Sequence, residues 1–487
     1  MSLPKPNLIR STLVYVAIGF LPVAANFLLA PVYTKFLKPD EYALIGLATL
    51  FQTFLTFFLS LSLDGAFSRI YFDYEKKPAL KHAVLSTLII SVILISAIVF
   101  GLLFLLGNQL FSLVFTNQIF RFTNFGYWVV INTFCNIIFL FFALLYRNEE
   151  KLRKFTALNL LFFFIPVVGT LTGLMLFDKG ALGAIIGRSI ASLLFIVVLL
   201  GLYFKMHKPV IKTSYLKKAL KFSLPLIPYQ LMFAGFSNLD RFILERNFTL
   251  HDFGVYNFAV MVTGLVPVFL NALSNATNPR IFRELANNGN LEIVRKYNYL
   301  NLFFSTAVIC ISVAAVVPTM RLLINKDYSD SYIYFGTLFL SFLPYLHYLI
   351  YNVPLFYFGK TGAFPVIAFF ALISGIIFNK LFIPYLGIWS VCLSLYAIRI
   401  IQGVVAYGYI KYYKYDSLIY VKQLNGLCTS FIIIGVYNFL LWGHYKFDIS
   451  SIDVINLTPL VLLILIGPFF YKNETAFLLK HVFRKSL

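Results

Sequence analysis

The sequence predicts an all-α polytopic membrane protein. About 14 transmembrane helices form two pseudo-symmetric six-helix bundles around a central cavity, with two extra helices at the C-terminal end. Three observations carry this reading. The composition is too apolar for a soluble protein, 14 apolar segments have membrane-spanning length, and the chain repeats itself at an offset of 211 residues.

Of 487 residues, 60% are hydrophobic and 12% charged. So little charge cannot clothe a soluble core of this size. The net charge of +21 would suit a nucleic-acid binder, but the basic residues fall in short runs between apolar segments, on alternate sides. They read as topology signals and as contacts with anionic headgroups. Cys135, Cys310, Cys392 and Cys428 lie in apolar segments without paired spacing. They read as small core residues, and no metal site is expected.

A span needs about 18–25 apolar residues. Such segments lie near 12–34, 43–66, 83–106, 124–146, 156–177, 181–204, 222–244, 254–277, 298–319, 333–357, 362–383, 387–410, 425–442 and 454–471. Lys5 and Arg10 precede the first, which lacks a small-residue cleavage site and reads as a helix, not a removed signal. A cytoplasmic N-terminus places 28 of the 40 Lys and Arg on the cytoplasmic side, so both termini are expected there. No connection is long enough for a folded domain, so the function is expected within the membrane.

The repeat sets Leu37–Tyr71 against Phe248–Phe282 without gaps. Glu41 meets Asp252, Tyr42 meets Phe253, Asp64 meets Asn275, and Arg69 meets Arg280. The same offset puts Arg188 on Arg399, and Gly180 aligns with Gly387 in a nearby register. Six spans separate the copies, which gives both halves one orientation and a pseudo-twofold axis along the membrane normal. The expected organisation is an N-terminal bundle over 1–204, a cytoplasmic linker over 205–221, a C-terminal bundle over 222–410, and two extra helices with a tail over 411–487.

Arg188, Arg241, Lys380 and Arg399 stand inside these spans. A cation there costs roughly 2.5–3.5 kcal/mol, which marks it as a functional candidate. Too few acids share the spans to pair all four, so an anionic ligand in transit is the expected partner. Arg399 lies ~18 Å into its span and Arg188 ~10 Å. These two lead the substrate-binding candidates, followed by Arg241 and Lys380, although Lys380 near Pro384 also suits snorkelling. Asp64, Asp240, Arg69, Arg280 and His347 are the gate or ion-coupling candidates. Asn26, Gln52, Asn132, Asn136, Asn159, Gln230, Asn271, Asn275, Asn352 and Gln402 could meet hydroxyls but read chiefly as packing between helices. Pro225, Pro228, Pro344 and Pro354 are kink candidates.

Several motifs together resemble bacterial polysaccharide flippases. They are Lys38-Pro39-Asp40-Glu41-Tyr42-Ala43, then Leu63-Asp64-Gly65-Ala66-Phe67-Ser68-Arg69-Ile70-Tyr71, and Ser223-Leu224-Pro225-Leu226-Ile227-Pro228. Asn238 to Leu244, Phe253-Gly254-Val255-Tyr256, and Asn379 to Gly387 continue the pattern, over about residues 10–410. The resembled class is the O-antigen and capsule (Wzx) flippases, in the superfamily of MATE exporters and lipid II flippases. It implies a MATE-like V of two six-helix bundles in the bacterial inner membrane. It also implies moving an undecaprenyl-pyrophosphate-linked oligosaccharide to the outer leaflet by alternating access.

A pyrophosphate offers about two negative charges to arginine's planar fork, which matches the intramembrane cations. No enzyme activity and no cofactor are expected; Na+ or H+ is the candidate coupling ion. MATE relatives often carry an acid in the first span, but this span has only Asn26, so that role does not transfer. Polysaccharide polymerase and glycosyltransferases are candidate partners, nucleic acid is not. The competing readings are a lipid II flippase, a MATE-type drug exporter, which should carry cavity carboxylates, and a membrane glycan polymerase or ligase, which needs a large outer loop.

Overall fold

A computed structural model describes residues 29–73, 78–177, 179–286, 291–415, 418, 423–447 and 452–470. Among them there is helix and no strand. Residues 29–36 form the described part of α1. There follow α2 (Pro39–Ser60), α3 (Leu63–Asp73), α4 (Pro78–Val114), α5 (Tyr127–Asn148), α6 (Leu152–Leu176) and α7 (Gly180–Met206). Next come α8 (Thr213–Ser223), α9 (Ile227–Ser237), α10 (Leu239–Asn247), α11 (Leu250–Thr263), α12 (Leu265–Ala286) and α13 (Leu291–Leu323). The chain continues with α14 (Tyr332–Leu340), α15 (Phe342–Tyr357), α16 (Ala363–Leu386), α17 (Ile388–Tyr412), α18 (Gln423–Phe447) and α19 (Ile452–Phe470).

Among the described residues ten helical segments are long and apolar enough to cross a membrane, and two shorter apolar ones lie at Cys428–His444 and Ile452–Ile466. The protein is a multi-pass membrane protein. Expected span seven is broken into α9 and α10 at Asn238, and most of expected span one lies outside the described residues. Span ten breaks at Ser341 for a reason legible in the chain. Pro344 has no N–H to give the carbonyl of Leu340, where α14 ends.

The repeat is visible in local structure. Glu41 occupies the third position of α2 and its carboxylate accepts the Lys38 N–H at 3.3 Å. Its counterpart Asp252 accepts the Thr249 N–H at 3.4 Å and the Thr249 hydroxyl at 2.7 Å. Both acids thus close a capping box at the start of a helix. Gly180 and Gly387 open the paired helices α7 and α17, with φ of +51° and +54°. That conformation burdens any residue with a Cβ, so both positions call for glycine.

Packing groups the described residues into two units, one over 36–254 and one over 29–35 with 255–470. Packing therefore counts α9 and α10 with the first unit, whereas the repeat counts them as the start of the second half. In the first unit α6 lies against α7 through two GxxxG faces, Gly169 with Gly173 and Gly183 with Gly187. A Cβ on Gly187 would collide with the Gly169 carbonyl, and one on Gly173 with that of Gly183. Small residues let membrane helices approach this closely. Gly187→Val should therefore destabilise the unit by about 1–3 kcal/mol, since backbone cannot yield as a side chain can. A monodisperse size-exclusion peak and unchanged Tm for that variant would contradict this packing.

In the second unit α18 and α19 pack on α13, α14 and α15. The Thr337 hydroxyl donates to Asn438 at 3.2 Å and the Tyr437 hydroxyl to Asn456 at 2.8 Å. The two C-terminal helices are thus integral to this unit. Cys135, Cys310 and Cys392 are buried free thiols, as expected of core residues, but Cys428 is exposed.

Candidate substrate-path residues

Arg399 projects from α17 to the break in span ten. Its guanidinium donates a hydrogen bond to the Ser341 hydroxyl and lies 3.6 Å from the centroid of the Phe342 ring. The side chain is half-buried. Stacking fixes the plane of the fork while part of it stays accessible, an arrangement suited to an oxyanion ligand. Beneath it, the Tyr396 hydroxyl donates to the Thr337 carbonyl at 2.9 Å and ties α17 to α14.

In the first unit Asp240, Arg241 and Asp64 sit at helix breaks. Asp240 opens α10, is 6% exposed, and accepts the Arg241 N–H at 2.9 Å. A carboxylate there also complements the helix dipole. The Arg241 guanidinium donates to Asn238 Oδ1 at 2.8 Å, across the break in span seven. Asp64 follows a second break, where Leu61 and Ser62 take φ of +45° and +55°. Two successive non-glycine residues in that region store strain of about 1–3 kcal/mol each. The Ser62 hydroxyl donates to Gln230 Oε1 of α9. Arg69 is exposed, forms no ion pair with Asp64, and lies 4.9 Å over the Phe222 ring.

The remaining candidates lie on separate helices. Arg188 on α7 and Lys380 on α16 are exposed, and Lys380 stands among exposed Ile377, Leu381 and Tyr385. His347 on α15 is 2% exposed, and neither ring nitrogen has a hydrogen-bond partner among the described residues. The side chains of Arg280 and Asn275, and the whole of Asn26, lie outside the described residues. The amides of Asn136 and Asn159 donate to carbonyls within their own helices. Asn132 instead donates to Gln52 at 3.1 Å and joins α5 to α2. Among the described residues no group of three or more His, Cys, Asp or Glu could hold a metal ion.

Two polar clusters escaped sequence reasoning. Glu245 in the last turn of α10 is 8% exposed. Its Oε1 accepts the N–H of Thr116, the N–H of Asn117 at 2.9 Å and the Thr116 hydroxyl at 2.9 Å. At the other end of the unit, Lys81 donates to the Tyr71 hydroxyl at 3.1 Å and lies 3.8 Å from Glu149. Glu149 also pairs with Lys151 at 2.8 Å, which holds the Lys151 ammonium above its ordinary range. Each acid sits next to a helix end, so sequence alone makes it look like an ordinary boundary charge.

Comparison with known proteins agrees with this architecture. Residues 8–285 match the family described as polysaccharide biosynthesis protein. The chain is 25% identical over 383 residues to the Lsg locus putative protein 1 of Haemophilus influenzae, covering 74% of this chain and 90% of that protein. Its fold is similar to that of the lipid II flippase MurJ in an inward closed conformation, with a TM-score of 0.69 at 15% identity, over 96% of this chain and 99% of that one. It is also similar to an inward-facing multidrug resistance MATE family transporter of the MOP superfamily, with a TM-score of 0.67 at 14% identity, over 83% and 98%. The MATE-like helical fold expected from the sequence is the fold observed. With more than half of its length matched by one family, the chain belongs to the polysaccharide biosynthesis protein family.

Proposed function

We propose that the protein flips an undecaprenyl-pyrophosphate-linked oligosaccharide, an O-antigen or capsule repeat unit, from the cytoplasmic to the outer leaflet of a bacterial inner membrane. The observation that carries this reading is membership of a polysaccharide biosynthesis family in a chain with a transporter fold. Both termini are cytoplasmic in this proposal, and the repeat halves alternate in opening to either side. Arg399 and Arg188 hold the pyrophosphate or an anionic sugar, with Arg241 and Lys380 as secondary contacts. Asp64 and Asp240, each just after a helix break, are the groups proposed to couple Na+ or H+. Polymerase and glycosyltransferases are the proposed partners.

A lipid II flippase would need the same pyrophosphate chemistry and is the nearest alternative. A drug exporter for cations would be served poorly by Arg399, whose charge repels them. A polymerase or ligase would act after flipping. Deleting the gene separates these readings. The expected result is that lipid-linked glycan accumulates on the cytoplasmic leaflet while surface polysaccharide disappears. If the lipid-linked units reach the outer leaflet and only fail to polymerise, the flippase reading is wrong.

A further inference from the structure

The second unit contains a small polar cavity that none of the candidate residues occupies. Ser274 and Asn278 of α12, and Asn298, Asn301 and Ser305 of α13, line it, with Leu346 and Ile350 of α15 forming an apolar wall. Its volume of about 30 Å³ leaves room for one or two water-sized occupants. A sugar ring does not fit. Asn298 is 2% and Ser305 4% exposed, and no side-chain hydrogen bond joins either to another described residue.

The chemistry of the lining selects the occupant. All five polar groups are neutral. The Thr277 hydroxyl donates to the Leu273 carbonyl at 2.9 Å, so it must accept from the Asn301 NH2 at 2.8 Å. That exchange fixes the amide orientation and leaves Asn301 its carbonyl oxygen to offer. Amide and hydroxyl oxygens without a carboxylate suit a single positive charge. A divalent ion would bring a larger desolvation penalty and calls for anionic oxygen ligands.

We propose that this cavity between α12, α13 and α15 is a binding site for a monovalent cation, Na+, held by neutral oxygens. It deepens the transport reading by naming an ion and a place for it, away from the carboxylates Asp64 and Asp240. Binding itself does not depend on what the protein flips.

The test uses the purified full chain in detergent, with thermal unfolding followed in NaCl, KCl or choline chloride at constant ionic strength. Na+ should raise Tm saturably by about 2–4 °C over choline, as a ligand specific to the native state does. K+ is about the size of a water molecule and also fits the cavity, so a saturable rise of Tm in KCl over choline is expected as well. Asn298→Leu should abolish the Na+ shift. Asn298→Asp keeps an oxygen and adds charge, so the Na+ midpoint should fall about tenfold or more. Equal Tm in Na+ and choline would overturn the proposal and leave a water-filled void. A full Na+ shift in Asn298→Leu would place the ion elsewhere and also overturn it. If Asn298→Leu does not fold, an unmoved Na+ midpoint in Asn298→Asp is the overturning result. Glycan flipping in the deletion strain is read separately, so failure of the ion site and failure of the flippase reading are distinguishable.

Discussion

Arg399→Ala should reduce glycan export roughly 10- to 150-fold at matched membrane levels. A hydrogen bond to a charged partner is worth about 1.5–3 kcal/mol, and each 1.4 kcal/mol is a factor of ten. Arg399→Lys keeps the charge but loses the planar fork and its stacking on Phe342, so it should recover only part of the activity. A structural role makes a different prediction. The Ser341 hydroxyl accepts from Arg399 at the break between α14 and α15, so in that case Ser341→Ala should reproduce the loss together with a drop in Tm. Restoration of surface polysaccharide in the deletion strain, read alongside Tm in detergent, separates the two. Wild-type export by the alanine variant would remove Arg399 from the substrate path.

The fold was legible because membrane spans obey a length rule that composition reveals directly. The repeat was legible for a local reason, since Glu41 and Asp252 perform the same cap in both copies and a cap of that kind needs a side-chain acceptor such as an acid at that position. The break at Ser341 had a visible cause in Pro344. The break at Leu61 and Ser62 had none, because neither residue is glycine or proline, and the partner Ser62 finds there, Gln230, lies 168 residues away. Asp64 and Arg69 looked like partners from their nearness in sequence. Five residues turn a helix by about 140°, which points the two side chains apart, and Arg69 finds Phe222 instead. The candidate site was read at the level of residue type, a cation where the membrane should hold none. Its partners were not readable, because Ser341 lies 58 residues from Arg399 and no local pattern announces such a contact.

Glu245 is the residue whose replacement should most weaken the first unit. Its Oε1 accepts two backbone N–H groups and a hydroxyl from the loop after α4, 128 and 129 residues away in sequence. Glu245→Ala leaves the Thr116 and Asn117 N–H groups without their acceptor, while the Thr116 hydroxyl keeps the Glu245 carbonyl at 3.2 Å; removing one member of a hydrogen-bonded charge cluster costs about 2–5 kcal/mol. Glu245→Gln keeps one acceptor oxygen but weakens every bond and brings an amide NH2 that must find its own acceptor, so an intermediate loss of about 1–3 kcal/mol follows. The expected order in Tm is wild type, then Gln, then Ala. The contact also bears on transport. The repeat assigns α10 to the second half of the chain, yet this contact holds it against the loop after α4 within the first unit, so a conformational change that releases α10 from that unit has to open it. A weakened tether should then favour the state in which the loop is released. A maleimide probe at Asn117→Cys would label faster in Glu245→Gln than in the wild-type background if so. Equal labelling rates with a lowered Tm would leave Glu245 a static brace of the unit.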